Sequence, residues 1–309
     1  MSQINVNVIA PLGYTGPALT GDNTNVGIIN AAGYIILKTT TNDNTALGRE
    51  ALEIATGGLN TAIGGYALQL NTTGSENTAV GIAAGGGIIN GTKSVFIGRT
   101  AGGYTQGGNE NTVVGYEAGY GENPFGPNTG MGDNNTCVGS KAGRQITGGS
   151  GNTFIGWRAG DTTTTGDNNT CIGFDSSTSS LTVSNQFTLG NSSITTLRCA
   201  VQTIIGLSDA RDKKDVAPIE LGLDFVKELN PVKFVWDDRD ENGKHDIVDS
   251  GFIAQDLKAL EDKYDAADVL KLVYDDNPDK LEASYGRLIP VLVQAIKELT
   301  AKVELLENK

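Results

Sequence analysis

One short motif returns along about two-fifths of this chain, and that repeat limits the possible fold more than any other feature. Asn44-Thr45-Ala46-Leu47-Gly48 recurs as Asn60-Thr61-Ala62-Ile63-Gly64, Asn77-Thr78-Ala79-Val80-Gly81 and, in degenerate form, Lys93-Ser94-Val95-Phe96-Ile97-Gly98. It continues as Asn111-Thr112-Val113-Val114-Gly115, Asn135-Thr136-Cys137-Val138-Gly139, Asn152-Thr153-Phe154-Ile155-Gly156 and Asn169-Thr170-Cys171-Ile172-Gly173. After the glycine comes a three-residue step and usually Ala-Gly, as in Tyr116-Glu117-Ala118-Gly119 and Trp157-Arg158-Ala159-Gly160. The spacing is about 17 residues, stretched once by an insertion around Pro124-Phe125-Gly126-Pro127.

A fixed short period predicts a solenoid, because one copy cannot bury its own apolar face and stacked copies can. Each copy offers one β run with an inward apolar residue, then a glycine where the backbone turns tightly or takes positive φ. Eight rungs at ~4.8 Å would span about 40 Å. The recurring asparagine suits a turn, where its amide bonds nearby backbone or stacks on the next rung's asparagine. Cys137 and Cys171 occupy equivalent places in their repeats, with Phe154 between, and read as small buried apolar residues. Three cysteines make no disulfide framework. Glu50, Glu53, Glu117 and Glu122 are scattered without a repeated pairing and read as solvated loop residues.

Composition changes sharply at Ser208. Of the 42 glycines, 38 precede it, but only 20 of the 59 charged residues do. The net charge of -13 divides into -4 before that point and -9 after it, which argues against nucleic acid and anionic membrane as partners. No basic-then-apolar leader opens the chain, and no run nears the ~18 apolar residues of a membrane span. The expected organisation is an N-terminal attachment segment over 1–40, a repeat rod over 41–174, a β stem over 175–207 and an α+β domain over 208–309. The stem is read from alternating β-formers in Leu181-Thr182-Val183-Ser184 and Gln186-Phe187-Thr188-Leu189-Gly190, edge strands that need partners. The fold class is therefore mainly β, then α+β.

The last third carries conventional signals. Leu221, Phe225, Val226 and Leu229 form a helical apolar face stopped by Asn230-Pro231, and Val232 to Trp236 alternates as a strand. Asn242-Gly243 marks a turn, and Gly251 to Leu257 leads into a second helix. Ile289, Leu292, Ile296, Leu299, Val303 and Leu306 keep alternating three- and four-residue spacing, a short coiled-coil seam. Isoleucine and leucine at the two seam positions favour two strands in simple peptides, whereas the stem would need three. Asp238, Asp240, Asn242, Gly243, Asp246 and Asp249 match a calcium-loop spacing, but the last ligand is Asp and the flanks read as strands, so a solvated hairpin tip is expected. His245 is the sole histidine, and neither a metal nor another cofactor is expected.

Two resemblances give this organisation a function. The N-T-x-x-G-x-x-A-G unit over about 44–173 resembles the head repeats of trimeric adhesins and of many bacteriophage tail fibres. Ser208-Asp209-Ala210-Arg211-Asp212-Lys213 is similar to the S-D-x-R-x-K signature of the intramolecular chaperone of endosialidase, a self-cleaving C-terminal domain of phage tail spikes and fibres. Pro218-Ile219, Leu229-Asn230-Pro231, Gly251-Phe252-Ile253-Ala254-Gln255 and the segment from Tyr285-Gly286-Arg287 to Leu299 follow its later landmarks in order. The resemblance implies Ser208 as nucleophile, Lys213 as its base, Asp209 and Arg211 as orienting residues, and cleavage between Leu207 and Ser208 after trimer formation. A cap on a helix whose first turn holds Asp212 is the competing reading of Ser208 or Asp209. The implied protein is a homotrimeric virion tail fibre or spike, made in a host cytoplasm, that meets a host-surface glycan or protein receptor and other tail proteins. It is no turnover enzyme beyond a single self-cleavage. A bacterial trimeric surface adhesin and a glycan-degrading spike are the alternatives; a signal peptide with a membrane barrel, or paired carboxylates, would favour them.

Overall fold

The computed structural model describes residues 26–30, 33–37, 42–121, 130–200, 204–206, 208–239 and 244–308. Of the expected attachment segment it describes only a backbone hairpin, β1 (Val26–Asn30) against β2 (Gly33–Leu37). The insertion around Pro124 lies outside the described residues.

The repeats build a parallel sheet in strict chain order. Its strands are β3 (Thr45–Leu47), β4 (Thr61–Ile63), β5 (Thr78–Val80), β6 (Val95–Ile97), β7 (Thr112–Val114), β8 (Thr136–Val138), β9 (Thr153–Ile155), β10 (Thr170–Ile172) and β11 (Phe187–Leu189). Together with the turns between them they form a β-solenoid of about eight turns. Every strand is three residues long, and in β3 to β10 the middle side chain is buried, as period-two alternation requires.

Asparagine fastens each rung to the next. The Asn135 Oδ1 accepts the Asn152 N–H at 2.9 Å, the Asn152 Oδ1 accepts the Asn169 N–H at 2.9 Å, and the Asn169 Oδ1 accepts the Gln186 N–H at 3.0 Å. Each side-chain nitrogen donates across its turn, as Asn152 does to the Gly166 carbonyl at 2.8 Å. The ladder runs unbroken from Asn44, and in the degenerate repeat the Ser94 hydroxyl takes over by accepting the Asn111 N–H at 3.1 Å. These amides are buried, so each satisfies two backbone groups that water cannot reach.

Glycine after the strand is required by close approach as well as by φ. At Gly156, φ is +132°, and a Cβ there would sit 2.4 Å from the Gly173 carbonyl oxygen of the next rung.

Large and small residues alternate between facing positions to fill the narrow interior. Where the strand contributes Ala46 or Ala62, the turn contributes Leu52 or Leu68; where it contributes Phe96 or Phe154, the turn has Gly102 or Gly160, whose missing Cβ would fall within 2.4 Å of the ring. Cys137 and Cys171 are wholly buried in this row, and burial pushes their thiols up to about 12 and about 11.

Within the stem expected over 175–207, residues 186–190 take a different form. Gln186-Phe187-Thr188-Leu189-Gly190 is a further rung, β11, paired parallel to β10, and Leu181 to Ser184 forms no strand. The Gln186 N–H keeps the asparagine register, but its longer side chain turns back to Ser179, with Oε1 accepting the Ser179 N–H at 2.9 Å. The oxygen that would start another rung is thereby turned toward Ser179 instead. Beyond Gly190 the described residues up to Gly206 carry no strand.

The C-terminal part has its own core. Helix α1 (Leu223–Glu228), the hairpin β12 (Val232–Asp237) and β13 (His245–Gly251), α2 (Ala254–Lys263), α3 (Ala267–Leu270), the pair β14 (Val273–Tyr274) and β15 (Glu282–Ala283), and α4 (Ile289–Glu307) follow in order. Phe225, Leu257, Leu260, Leu270, Leu272 and Val291 pack at its centre. Gly222 offers α1 no side-chain cap, and the Glu298 carboxylate of α4 accepts the Leu223 N–H instead, at 2.8 Å. One face of α4 is thus committed to the core through Val291 and Ala295, while Ile296 and Leu306 on the seam are 63% and 68% exposed.

Asn152→Ala should destabilise the solenoid by about 2–6 kcal/mol, since it strands the Asn169 N–H and the Gly166 carbonyl at ~1–3 kcal/mol each. Denaturant unfolding followed by circular dichroism reads this directly; an unchanged midpoint would contradict the ladder. Gly156→Ala should also be destabilising, because the next rung's backbone has no room to yield.

Candidate functional site

A tight turn lies in the chain between the solenoid and the C-terminal core. Asp209 sits in extended backbone and caps a single 3-10 turn, Ala210–Asp212, its carboxylate accepting the Arg211 N–H at 2.9 Å. The Arg211 side chain folds back on the same carboxylate, Nε at 3.0 Å and Nη2 at 2.6 Å. This pair holds the Asp209 carboxyl below its usual range and raises the guanidinium. A depressed carboxylate stabilises the turn fully above its unfolded pKa and loses that effect as pH falls through the lowered value, so the turn is closed at neutral pH.

Closing the turn brings residues 208 and 213 together. The Lys213 N–H donates to the Ala210 carbonyl at 3.2 Å, and the Lys213 Nζ lies 2.6 Å from the Ser208 Oγ and 3.4 Å from the Ser208 carbonyl oxygen. All four residues expected to form the site therefore meet in one turn. The capping role falls to Asp209 and leaves the Ser208 hydroxyl to the lysine amine. Leu207, on the acyl side of the expected scissile bond, lies outside the described residues.

The arrangement has a nucleophile and an amine within hydrogen-bonding reach, the first requirement of Ser–Lys chemistry. It is also open, for every residue from Ser208 to Pro218 is exposed. A lysine works as a base in the free-amine form, which burial or neighbouring cations favour. In a single chain neither core supplies that enclosure.

Of the calcium-like loop, Asp238, Asp246 and Asp249 fall among the described residues. Asp249, its twelfth position, accepts the Trp236 indole N–H at 3.1 Å across the β12–β13 hairpin, and residues 240–243 lie outside the described residues. Among the described residues no group of His, Cys, Asp and Glu could hold a metal ion. No described helix is long and apolar enough to cross a membrane.

Two exposed apolar surfaces accompany the turn. One is the α4 seam. The other, which the sequence reading passed over, is the outer face of the solenoid sheet, where Ile63, Ile97, Ile155 and Leu189 form a ladder at the third strand position. Its signal was present in the alternation: if the second residue of each strand points in, the third points out.

No curated protein and no solved structure matches the chain. One family model does, and it begins at Ser208: residues 208–267, about a fifth of the chain, match the family described as chaperone of endosialidase.

Proposed function

We propose that this chain is a trimeric tail-fibre or tail-spike protein whose C-terminal part guides assembly and then removes itself. The observation that carries this reading is the 2.6 Å contact between the Lys213 Nζ and the Ser208 Oγ, standing where the solenoid has ended and the chaperone-family match begins. In the cut, the Ser208 Oγ adds to the carbonyl carbon of Leu207 while the Lys213 amine takes the hydroxyl proton. The adduct collapses with loss of the C–N bond, the Ser208 nitrogen receives the proton, and the acyl group rests on Oγ as an ester. Water hydrolyses that ester, leaving a Leu207 carboxylate, a free Ser208 amine and a restored hydroxyl. Asp209 and Arg211 are positioning residues that hold the turn closed.

Openness of the turn in one chain supports a timed reaction. Enclosure that favours the free amine would come from neighbouring copies, so cleavage waits for assembly. The exposed seam of α4 and the aliphatic ladder of the rod are the surfaces on which those copies would meet. Removing the chaperone leaves a rod that cannot reassemble unaided, and its stability becomes kinetic. The released rod would serve in the virion as a host-attachment element that recognises a surface glycan or protein receptor.

Ser208→Ala and Lys213→Met should each leave the chain intact under denaturing mass spectrometry, while wild type splits between Leu207 and Ser208. Equal splitting of wild type and Ser208→Ala would remove Ser208 from the mechanism. The double change Ile296→Asp with Leu299→Asp should abolish association in sedimentation and, with it, cleavage of an otherwise unaltered Ser208 turn. Cleavage at the wild-type rate by that monomer would contradict assembly gating.

A further inference from the structure

The position after each strand glycine forms a second ladder on the solenoid, and its later rungs are aromatic. Backbone bonds keep the ladder in register: the Glu117 N–H donates to the Arg99 carbonyl at 3.1 Å, the Lys141 N–H to the Tyr116 carbonyl at 2.8 Å, the Arg158 N–H to the Ser140 carbonyl at 3.0 Å and the Asp175 N–H to the Trp157 carbonyl at 2.8 Å. Arg99, Tyr116, Ser140, Trp157 and Phe174 therefore stand one above another. Tyr116 and Trp157 are 40% and 39% exposed, although a solvent-facing turn has no folding reason to hold either ring.

The rings lie across the rod axis. Trp157 and Phe174 stack with centroids 4.6 Å apart and planes 15° from parallel, the spacing of one rung. Phe174 thus covers one face of the indole, and Arg158, 5.2 Å from its centroid, is drawn toward Asp161 and Asp175. On the other side of Tyr116 the Arg99 guanidinium lies 5.7 Å from the ring centroid. A hydrogen bond to the Glu117 carboxylate, which pushes the Tyr116 hydroxyl above its usual pKa, fixes the phenol. Ser140, whose side chain ends at a hydroxyl, stands on the rung between Tyr116 and Trp157. Two rungs separate Tyr116 from Trp157, or about 9.5 Å, which is two carbon contacts of ~4 Å with room for the pucker of a saturated ring.

Charge at the slot points the same way. Glu117, before Lys141 on the neighbouring ladder, is held by Arg144 at 3.2 Å, and Arg158, after it, is held by Asp161 at 2.8 Å. Lys141 is left without an ion pair among the described residues. A cation beside an aromatic bracket with a hydroxyl at its floor matches a ring with apolar C–H faces, hydroxyl edges and an acidic substituent.

We propose that Tyr116, Ser140, Trp157 and Lys141 form a binding slot for a pyranose bearing a carboxylate, a unit of an acidic surface polysaccharide. The proposal deepens the reading of the rod as a surface-attachment element and rests on it. The probe is a short oligogalacturonate, with its neutral methyl ester for comparison, titrated into full-length protein carrying Trp236→Phe so that Trp157 alone reports. The acid should change Trp157 fluorescence saturably, Ser140→Phe should abolish binding by filling the slot, and Lys141→Gln should weaken the acid at least tenfold, toward the ester. No response to either saccharide, or undiminished binding by Ser140→Phe, overturns the slot. So does loss of association by Tyr116→Ala, which would mean that another copy of the chain covers the ladder. Cleavage at Ser208, followed in the same samples, reports independently on the assembly reading.

Discussion

Every rung of the solenoid depends on a hydrogen bond handed to it by the rung before. The asparagine that opens each repeat accepts the N–H of its counterpart one rung on and uses its own amide to close the turn beneath it. No rung is complete alone, since its side-chain oxygen needs the next backbone and its backbone needs the previous side chain. Stability in such a ladder is a sum of neighbour terms, and register errors leave buried polar groups bare. The constraint also explains where the rod stops. At Gln186 one additional methylene redirects the amide to Ser179, and nothing accepts the N–H of a further rung.

Much of this was legible in the sequence because period is a geometric quantity. Strand positions, the inward second residue, the glycine turn and the stacking role of asparagine all follow from the motif and its spacing. What was lost had a physical cause. Gln186-Phe187-Thr188-Leu189-Gly190 keeps the spacing but not the residue types, so alternation of β-formers outweighed register, and a rung was read as a stem. The complementary pairing of Ala62 with Leu68 and of Phe154 with Gly160 depends on which positions face across the interior, which only the turn geometry reveals.

At the Ser208 turn the residue types were legible and their hydrogen-bond partners were not. Six consecutive residues pointed to one site, but only the fold shows that Asp209 caps the turn while the Ser208 hydroxyl meets the Lys213 amine. The same turn exposes what one chain lacks. Its reactive pair is assembled by local hydrogen bonds and remains in water, while two apolar surfaces, on α4 and along the sheet, stand uncovered. On the proposed reading these facts are one fact, because association that covers the apolar surfaces also encloses the amine. Chemistry would then report that assembly is complete, as a lysine buried among neighbours loses its proton more readily than one in solvent.

Native mass spectrometry of the purified wild-type protein tests that account most directly. It predicts a species containing three copies of residues 1–207 and a separate population of the fragment that begins at Ser208. A protein that remains a single uncleaved chain at concentrations where the rod is folded would contradict it.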